Sequence, residues 1–146
     1  MKSITTLYRK TKPSDYARIT ELCIQLGYDT TKENVLERLY KIDGRNDTAA
    51  FVSEENGFIT GWIQVSVRTA IESEEFAEII GLVVDGNYRG KGIGKELVLK
   101  AEEWSKNLGY KILRVRTNVK RLETHEFYKG RGFIETKRQT VFQKEL

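Results

Sequence analysis

Between Val83 and Gly94 the sequence reads Val-Val-Asp-Gly-Asn-Tyr-Arg-Gly-Lys-Gly-Ile-Gly, joining an apolar run to a segment of helical period. Glycines at 90, 92 and 94 let the backbone come close to a ligand, with several N–H groups free to meet it. A helix starting there carries partial positive charge at its N-terminus. Arg89, Lys91 and Lys95 add full charges, so a pyrophosphate is the ligand that suits the segment. Two rival phosphate motifs fail letter by letter. A dinucleotide fingerprint starting at Gly90 needs glycine where Lys95 stands, and one starting at Gly92 needs it at Leu97. A Walker loop needs four residues before Gly-Lys and Ser or Thr after it. Gly86 precedes Gly90-Lys91 by three, and Gly92 follows.

Glu78 is the second residue whose type and place suggest chemistry. It interrupts the apolar stretch Phe76-Ala77-Glu78-Ile79-Ile80, and by strict alternation it shares a face with Ile80, Leu82 and Val84. A carboxylate held there has the setting a general base requires; the alternative is an ordinary Glu paired with a surface cation. The only histidine, His125, reads as structural, and Cys23 sits on the apolar stripe of a helix as a buried thiol.

These residues need elements to hold them. Ser3 to Tyr8 reads as a short strand, and Pro13-Ser14-Asp15 opens a helix carrying Ile19, Leu22, Cys23 and Leu26, which Gly27 stops. Thr30 and Glu33 predict a capping box for a second helix with Val35, Leu36, Leu39 and Ile42, ended by Gly44. The period then changes to two. Ala49 to Ser53 and Phe58 to Val67 read as strands joined by an Asn56-Gly57 hairpin. Thr69 to Glu75 reads as a polar connection and Phe76 to Val84 as a central strand. A helix from Gly92 to Leu108, a strand from Ile112 to Thr117 and a short helix from Leu122 to Lys129 follow. Phe133 to Thr136 and Thr140 to Gln143 are expected as two final strands. The order β-α-α-β-β-β-α-β-α-β-β is an α/β fold with a mixed sheet, expected as one domain over residues 1–146.

Composition bounds the chemistry. The chain has 146 residues, 39% hydrophobic and 32% charged, which suits one soluble globular domain. No apolar run approaches the roughly 20 residues of a membrane span, and no secretory signal is visible at the N-terminus, so a cytoplasmic location is expected. One cysteine and one histidine predict neither disulfides nor a metal site. The net charge of +4 fits a small polyanion as readily as nucleic acid, and no aromatic-basic motif accompanies it, so nucleic acid is not expected as a partner.

Arg89-Gly90-Lys91-Gly92-Ile93-Gly94 resembles the R/Q-x-x-G-x-G/A signature of the GNAT superfamily of N-acetyltransferases. His125-Glu126-Phe127-Tyr128-Lys129-Gly130-Arg131-Gly132-Phe133 is similar to that family's later H-x-F-Y-x-x-x-G-F stretch, and the inferred element order agrees along essentially the whole chain. The resemblance implies a GNAT-like, mostly antiparallel sheet flanked by about four helices, and acetyl-coenzyme A as co-substrate. Backbone groups of Leu82, Val83 and Val84 would hold the pantetheine and thioester. Arg89, Gly90, Lys91, Gly92, Ile93 and Gly94, with Lys95, would cradle the pyrophosphate. Arg121 and Thr124 replace the Asn and Ala of a further family segment, which leaves Asn118 or Arg121 to meet the pantetheine arm.

The same resemblance assigns proton transfer. Glu78 stands in a Phe-Ala-Glu-Ile context similar to that of the base in the lysine-acetylating branch, and Tyr128 matches the tyrosine whose phenol meets the coenzyme sulfur. A phenol stays protonated at neutral pH and can donate to a departing thiolate. The implied reaction is direct attack by an amine, from a small molecule or a peptide, in a ternary complex. A homodimer is left open. Tyr28, Asp29, Glu33, Glu72, Glu74 and Glu75 lie where acceptor contacts are expected, and their charge would suit a cationic amine. The rival reading is a coenzyme-binding or regulatory module without catalysis.

Overall fold

The computed structural model describes residues 5–146, which form two compact units, one ending at Val115 and the other spanning Arg116–Leu146. The strand expected from Ser3 therefore begins outside the described residues. In the first unit the order is β1 (Thr6–Lys10), a short 3-10 turn at Pro13–Asp15, α1 (Tyr16–Gln25), α2 (Lys32–Ile42), β2 (Thr48–Glu55), β3 (Phe58–Ala70), β4 (Ser73–Val84), a second 3-10 turn at Gly86–Tyr88, α3 (Ile93–Asn107) and β5 (Leu113–Val115). The second unit contains α4 (Leu122–Gly130). This is the expected mixed α/β architecture with four helices.

The five strands form one sheet in sequence order. The first four pair antiparallel, each with the next, while β4 and β5 run parallel. Adjacent antiparallel strands need only tight turns. Asn56 and Gly57 both take positive φ, at 51° and 83°, the geometry of a two-residue hairpin loop. The parallel step instead needs a crossover, which α3 supplies.

One face of the sheet meets α1 and α2 through a core of Ile19, Leu22, Val35, Leu39, Val52, Ile59 and Val83, with Trp62 packed against it. The other receives α3, whose Ile93, Leu97, Val98 and Ala101 are buried. Glycine at 61 admits that helix closely: a Cβ there would stand 3.2 Å from the Leu97 side chain and 2.9 Å from the Val83 carbonyl oxygen.

Several expectations are corrected. The α2 cap is Thr31, not Thr30; its hydroxyl accepts from the Asn34 backbone N–H at 3.2 Å. Thr69 to Glu75 is not a connection, because β3 and β4 continue as a hairpin through it and pair as far as Ala70 and Ser73. The two final strands are absent, since residues 131–146 carry no helix or strand. Phe133-Ile134 and Val141-Phe142 supply the apolar, strand-favouring residue types, yet Ile134, Val141 and Phe142 are 82%, 82% and 90% exposed. Such a segment makes a strand only where a neighbouring backbone takes up its N–H and C=O groups.

Candidate active site

The pairing of β4 is uneven along its length. Opposite β3 it extends from Ser73 to Val84, but opposite β5 it consists of Ala77 with Leu113, Glu78 with Arg114 and Ile79 with Val115. Among the described residues, no strand pairs with Ile80–Val84 on that side. Backbone groups along a free strand edge are donors and acceptors waiting for a partner. An extended amide-bearing ligand is one that can use them.

At the same point β4 carries a bulge. Gln64 faces Gly81 and Val65 faces Ile79, so Ile80 has no opposite number. The extra residue reverses the alternation. Glu78, opposite Ser66, lies on the same face as Gly81 and Val83, opposite Gln64 and Trp62, and not with Ile80, Leu82 and Val84 as strict period two requires. Gly81 is needed beside Trp62: a Cβ there would come within 2.7 Å of the indole ring.

Glu78 is buried, 2% exposed, and its Oε2 accepts a 2.8 Å hydrogen bond from Arg68 Nε. The Arg68 side chain is 53% exposed. Both features weighed from the sequence are thus present together, a carboxylate out of water and a surface cation paired with it. Charge-assisted bonding of this kind offsets the cost of removing the carboxylate from water.

Beyond Val84 the chain enters the glycine segment. Asp85 accepts from the Asn87 N–H at 2.9 Å and from the Arg18 guanidinium, while Gln25 takes the Gly86 N–H at 2.7 Å. Burial alone would push the Asp85 carboxyl up; the Asn87 N–H and Arg18 outweigh it and hold it below the usual carboxylate range. Arg18, Phe58, Asp85, Tyr88 and Lys91 line one cleft, with Arg18 stacked 4.1 Å over the Phe58 ring and Lys91 Nζ 4.9 Å over Tyr88.

Gly90 and Gly92 take φ of 77° and 81°, and a Cβ at either would meet nothing within 4 Å. They are glycines for conformation, and the space beside them is open. Gly92 is the N-cap of α3, so the N–H groups of Ile93, Gly94 and Lys95 have no intrahelical acceptor. Arg89, Lys91 and Lys95 are exposed around them, whereas the Ile93 side chain is buried and only its backbone is offered. This cradle suits a diphosphate. In the free strand edge, Val83 is in the core, while Leu82 and Val84 are half-buried.

The remaining expected site residues belong to the second unit. Tyr128 is 7% exposed, with Phe127 and Phe133 edge-on at ring-centroid distances of 5.1 and 5.4 Å. Asn118 precedes α4 and shapes its entry: Oδ1 accepts from the Lys120 N–H at 2.9 Å, and its carbonyl oxygen lies 2.9 Å from His125 Nε2. The structure therefore assembles Glu78, the β4 edge and the glycine cradle within one unit. Arg68, Arg18 and Asp85 escaped the sequence reading: Arg18 and Asp85 meet 67 residues apart, and Arg68 meets Glu78 across a hairpin that reads as a connection. Burial pushes the Cys23 thiol up, despite Trp62 and Arg38 nearby, in keeping with a structural role. No group of residues able to hold a metal occurs among the described residues, and no helix of theirs is long and apolar enough to cross a membrane.

Comparison with known proteins yields a consistent set of matches. Residues 4–133 match the model of the acetyltransferase (GNAT) family. An uncharacterised N-acetyltransferase of Methanocaldococcus jannaschii is 38% identical over 93 residues, which is 62% of this chain and 41% of that protein's length. An aminoglycoside N(6')-acetyltransferase of Stenotrophomonas maltophilia is 25% identical over 94% of this chain and 92% of its own. Among solved structures, an aminoglycoside N-acetyltransferase in complex with CoA superposes with a TM-score of 0.89, covering 99% of this chain and 98% of that one at 19% identity. At that identity the likeness is one of fold.

Proposed function

Because this chain belongs to the acetyltransferase (GNAT) family, we propose that it transfers an acetyl group from acetyl-coenzyme A to the nitrogen of a small-molecule or peptide amine. The observation that carries this reading is a continuity. The unpaired edge of β4 after Ile79 runs into Asp85, the positive-φ glycines and the open N-terminus of α3. A pantetheine arm is an extended diamide, and a diphosphate follows it at its other end. The edge would take the amides and the cradle the phosphates, with Arg89, Lys91 and Lys95 supplying charge.

The chemistry divides as follows. A neutral amine nitrogen attacks the thioester carbonyl, the C–N bond forms, and the C–S bond breaks on collapse of the tetrahedral adduct. Glu78 takes the proton that nitrogen loses, and Tyr128 gives one to the departing thiolate. Direct attack within a ternary complex fits the absence of a nucleophile built for an acyl-enzyme, since the only thiol, Cys23, is held protonated by burial. Aminoglycosides, acted on by a relative spanning most of this chain, belong in the first acceptor panel.

Calorimetry with acetyl-coenzyme A, followed by thiol-release assays over aminoglycosides, diamines and peptides, tests the reading. Micromolar or tighter coenzyme affinity and release dependent on an amine are expected. Tight binding with no release on any amine would make the chain a coenzyme-binding module, and no binding would remove the assignment.

A further inference from the structure

On the face of the sheet that meets α1 and α2, Val52, Trp62 and Val83 stand in or against the apolar core. Register carries the same face on through Gln64, opposite Gly81, to Ser66, which lies opposite both Thr48 and Glu78. Here the side chains turn polar. Thr48 is buried, while Gln64 and Ser66 are half-buried and within reach of solvent.

Their hydrogens can be counted. The Thr48 hydroxyl donates to the Val65 carbonyl oxygen at 3.2 Å, which uses its one hydrogen. Ser66 Oγ, 2.6 Å from Thr48 Oγ1, is then the donor of that pair. Gln64 Nε2 donates to the same Thr48 oxygen at 3.3 Å. Thr48 Oγ1 thus gives one hydrogen bond and accepts two, which fills both its lone pairs. The consequence falls on Gln64. Turning its amide over would set a carbonyl oxygen against an oxygen that has no hydrogen left to give, so the NH2 must face Thr48. Gln64 Oε1 is left for another donor. Among the described residues none bonds to it, and Gly81 opposite has no side chain to supply one.

This patch lies between Glu78 and the stretch Ile80–Val84, whose far edge no described strand pairs. An amine held there for attack has Gln64 beside it. We propose that Gln64 is a specificity-determining residue, whose amide oxygen takes a hydrogen from an O–H or N–H group that the acceptor carries next to its reacting nitrogen. Thr48 is the positioning residue, since it fixes which end of the amide is offered. Ser66, its hydrogen committed to Thr48, adds only lone pairs. Both side chains therefore favour a donor. An ether oxygen in that place would meet oxygen, and a methylene would take water from Gln64 Oε1 and put nothing in its stead. Glu78 keeps its bond to Arg68 throughout.

This inference rests on the acetyl-transfer reading, and the experiment separates the two. With saturating acetyl-coenzyme A, kcat/KM per neutral amine is measured for ethanolamine and 2-methoxyethylamine and for their hydrocarbon counterparts, propylamine and butylamine. The wild type should prefer ethanolamine over propylamine by about tenfold, the scale of one hydrogen bond. It should show no such preference for 2-methoxyethylamine over butylamine. Gln64→Leu should abolish the first preference, and Gln64→Glu, which keeps an acceptor, should retain it. Thr48→Val removes the oxygen that orients the amide, so 2-methoxyethylamine should then be preferred over butylamine by about tenfold. Thr48→Ser, which keeps that oxygen, should behave as the wild type. A loss of stability alone would lower all four rates together and move neither ratio. A wild type that binds acetyl-coenzyme A but lacks the ethanolamine preference, acetylating all four amines alike or none, overturns the inference alone. So does a preference that Gln64→Leu leaves in place. Ratios unmoved by Thr48→Val overturn the role of Thr48. A wild type that binds no coenzyme overturns the acetyl-transfer reading, and this inference with it.

Discussion

The Arg18 guanidinium of α1 bonds to the Asp85 carboxylate immediately after β4, and so fastens the first helix to the start of the glycine segment. Arg18 also donates to the Ile59 carbonyl oxygen at 2.8 Å and stacks on Phe58. One side chain thereby ties α1, the β2–β3 hairpin and the end of β4 together. Asp85, for its part, caps the short turn at Gly86–Tyr88.

Asp85→Asn should lower unfolding free energy by about 2 kcal/mol, the scale of a buried hydrogen bond to a charged group. Because the folded carboxyl is held below its ordinary range, its stabilising contribution is complete above about pH 4 and is lost as acid protonates it. Urea unfolding at pH 7 and at pH 3 checks this: the gap between wild type and variant should narrow in acid. An equal gap at both pH values would mean that shape, not charge, carries the contact.

Gly92→Val should cost about 1–3 kcal/mol through backbone strain, since a β-branched residue resists the positive φ that position requires. Nothing lies within 4 Å of the added Cβ, so crowding inside the protein is not the cause. Arg89→Glu, on an exposed side chain, should leave the melting temperature alone and weaken coenzyme binding by at least tenfold. Calorimetry on both variants separates strain from charge. Full coenzyme affinity in Arg89→Glu would remove that residue from the cradle.

Tyr128→Phe should lower kcat by about a hundredfold if the phenol protonates the thiolate. Its packing against Phe127 and Phe133 is kept, so the variant should fold. Glu78→Gln should lower kcat/KM by a similar factor of about a hundred if the carboxylate takes the amine's proton. Single-turnover measurements, in which chemistry sets the rate, decide each case. Wild-type rates would reduce either residue to structure.

Gly81→Ala should displace Trp62, because the new Cβ would come within 2.7 Å of a ring held in the core. Overpacking of this kind costs about 1–3 kcal/mol. A shift in tryptophan fluorescence accompanied by a lower melting temperature is expected. Unchanged emission and stability would mean that β4 moves instead of the ring.

Much of this fold is legible in local pattern. The alternation from Ile59 to Val67, the Asn56-Gly57 turn and the stripe of Ile93, Leu97 and Ala101 each announce an element, because the signal and the structure share a period. The glycine cradle is legible for a different reason: a demand on φ is written in residue type. The face occupied by Glu78 is not legible. Ile79, Ile80 and Gly81 suit either side of a doubly covered strand, so nothing local marks Ile80 as the extra residue. Arg68 is hidden likewise, since it stands beside Glu78 only because the hairpin continues through Thr69–Glu75, which reads as a connection. At the C-terminus the failure runs the other way: Phe133-Ile134 and Val141-Phe142 are residue types that favour strands, and no backbone among the described residues pairs with them.

The unpaired Ile80 amounts to a change of parity. Before it, even-numbered positions of β4 look toward the layer of α1 and α2; after it, odd-numbered ones do. A single residue thus lets one strand spend its first half presenting an acid to one layer and its second half returning Val83 to that same layer's core. Deleting Ile80 would restore an uninterrupted count and oblige the strand to choose. With Val83 anchored among Ile19, Leu22 and Leu39, the half that yields would be the half bearing Glu78, and the carboxylate would turn toward the apolar side of α3. The bulge is therefore the smallest unit of this chain that couples where the acid stands to how the core is packed.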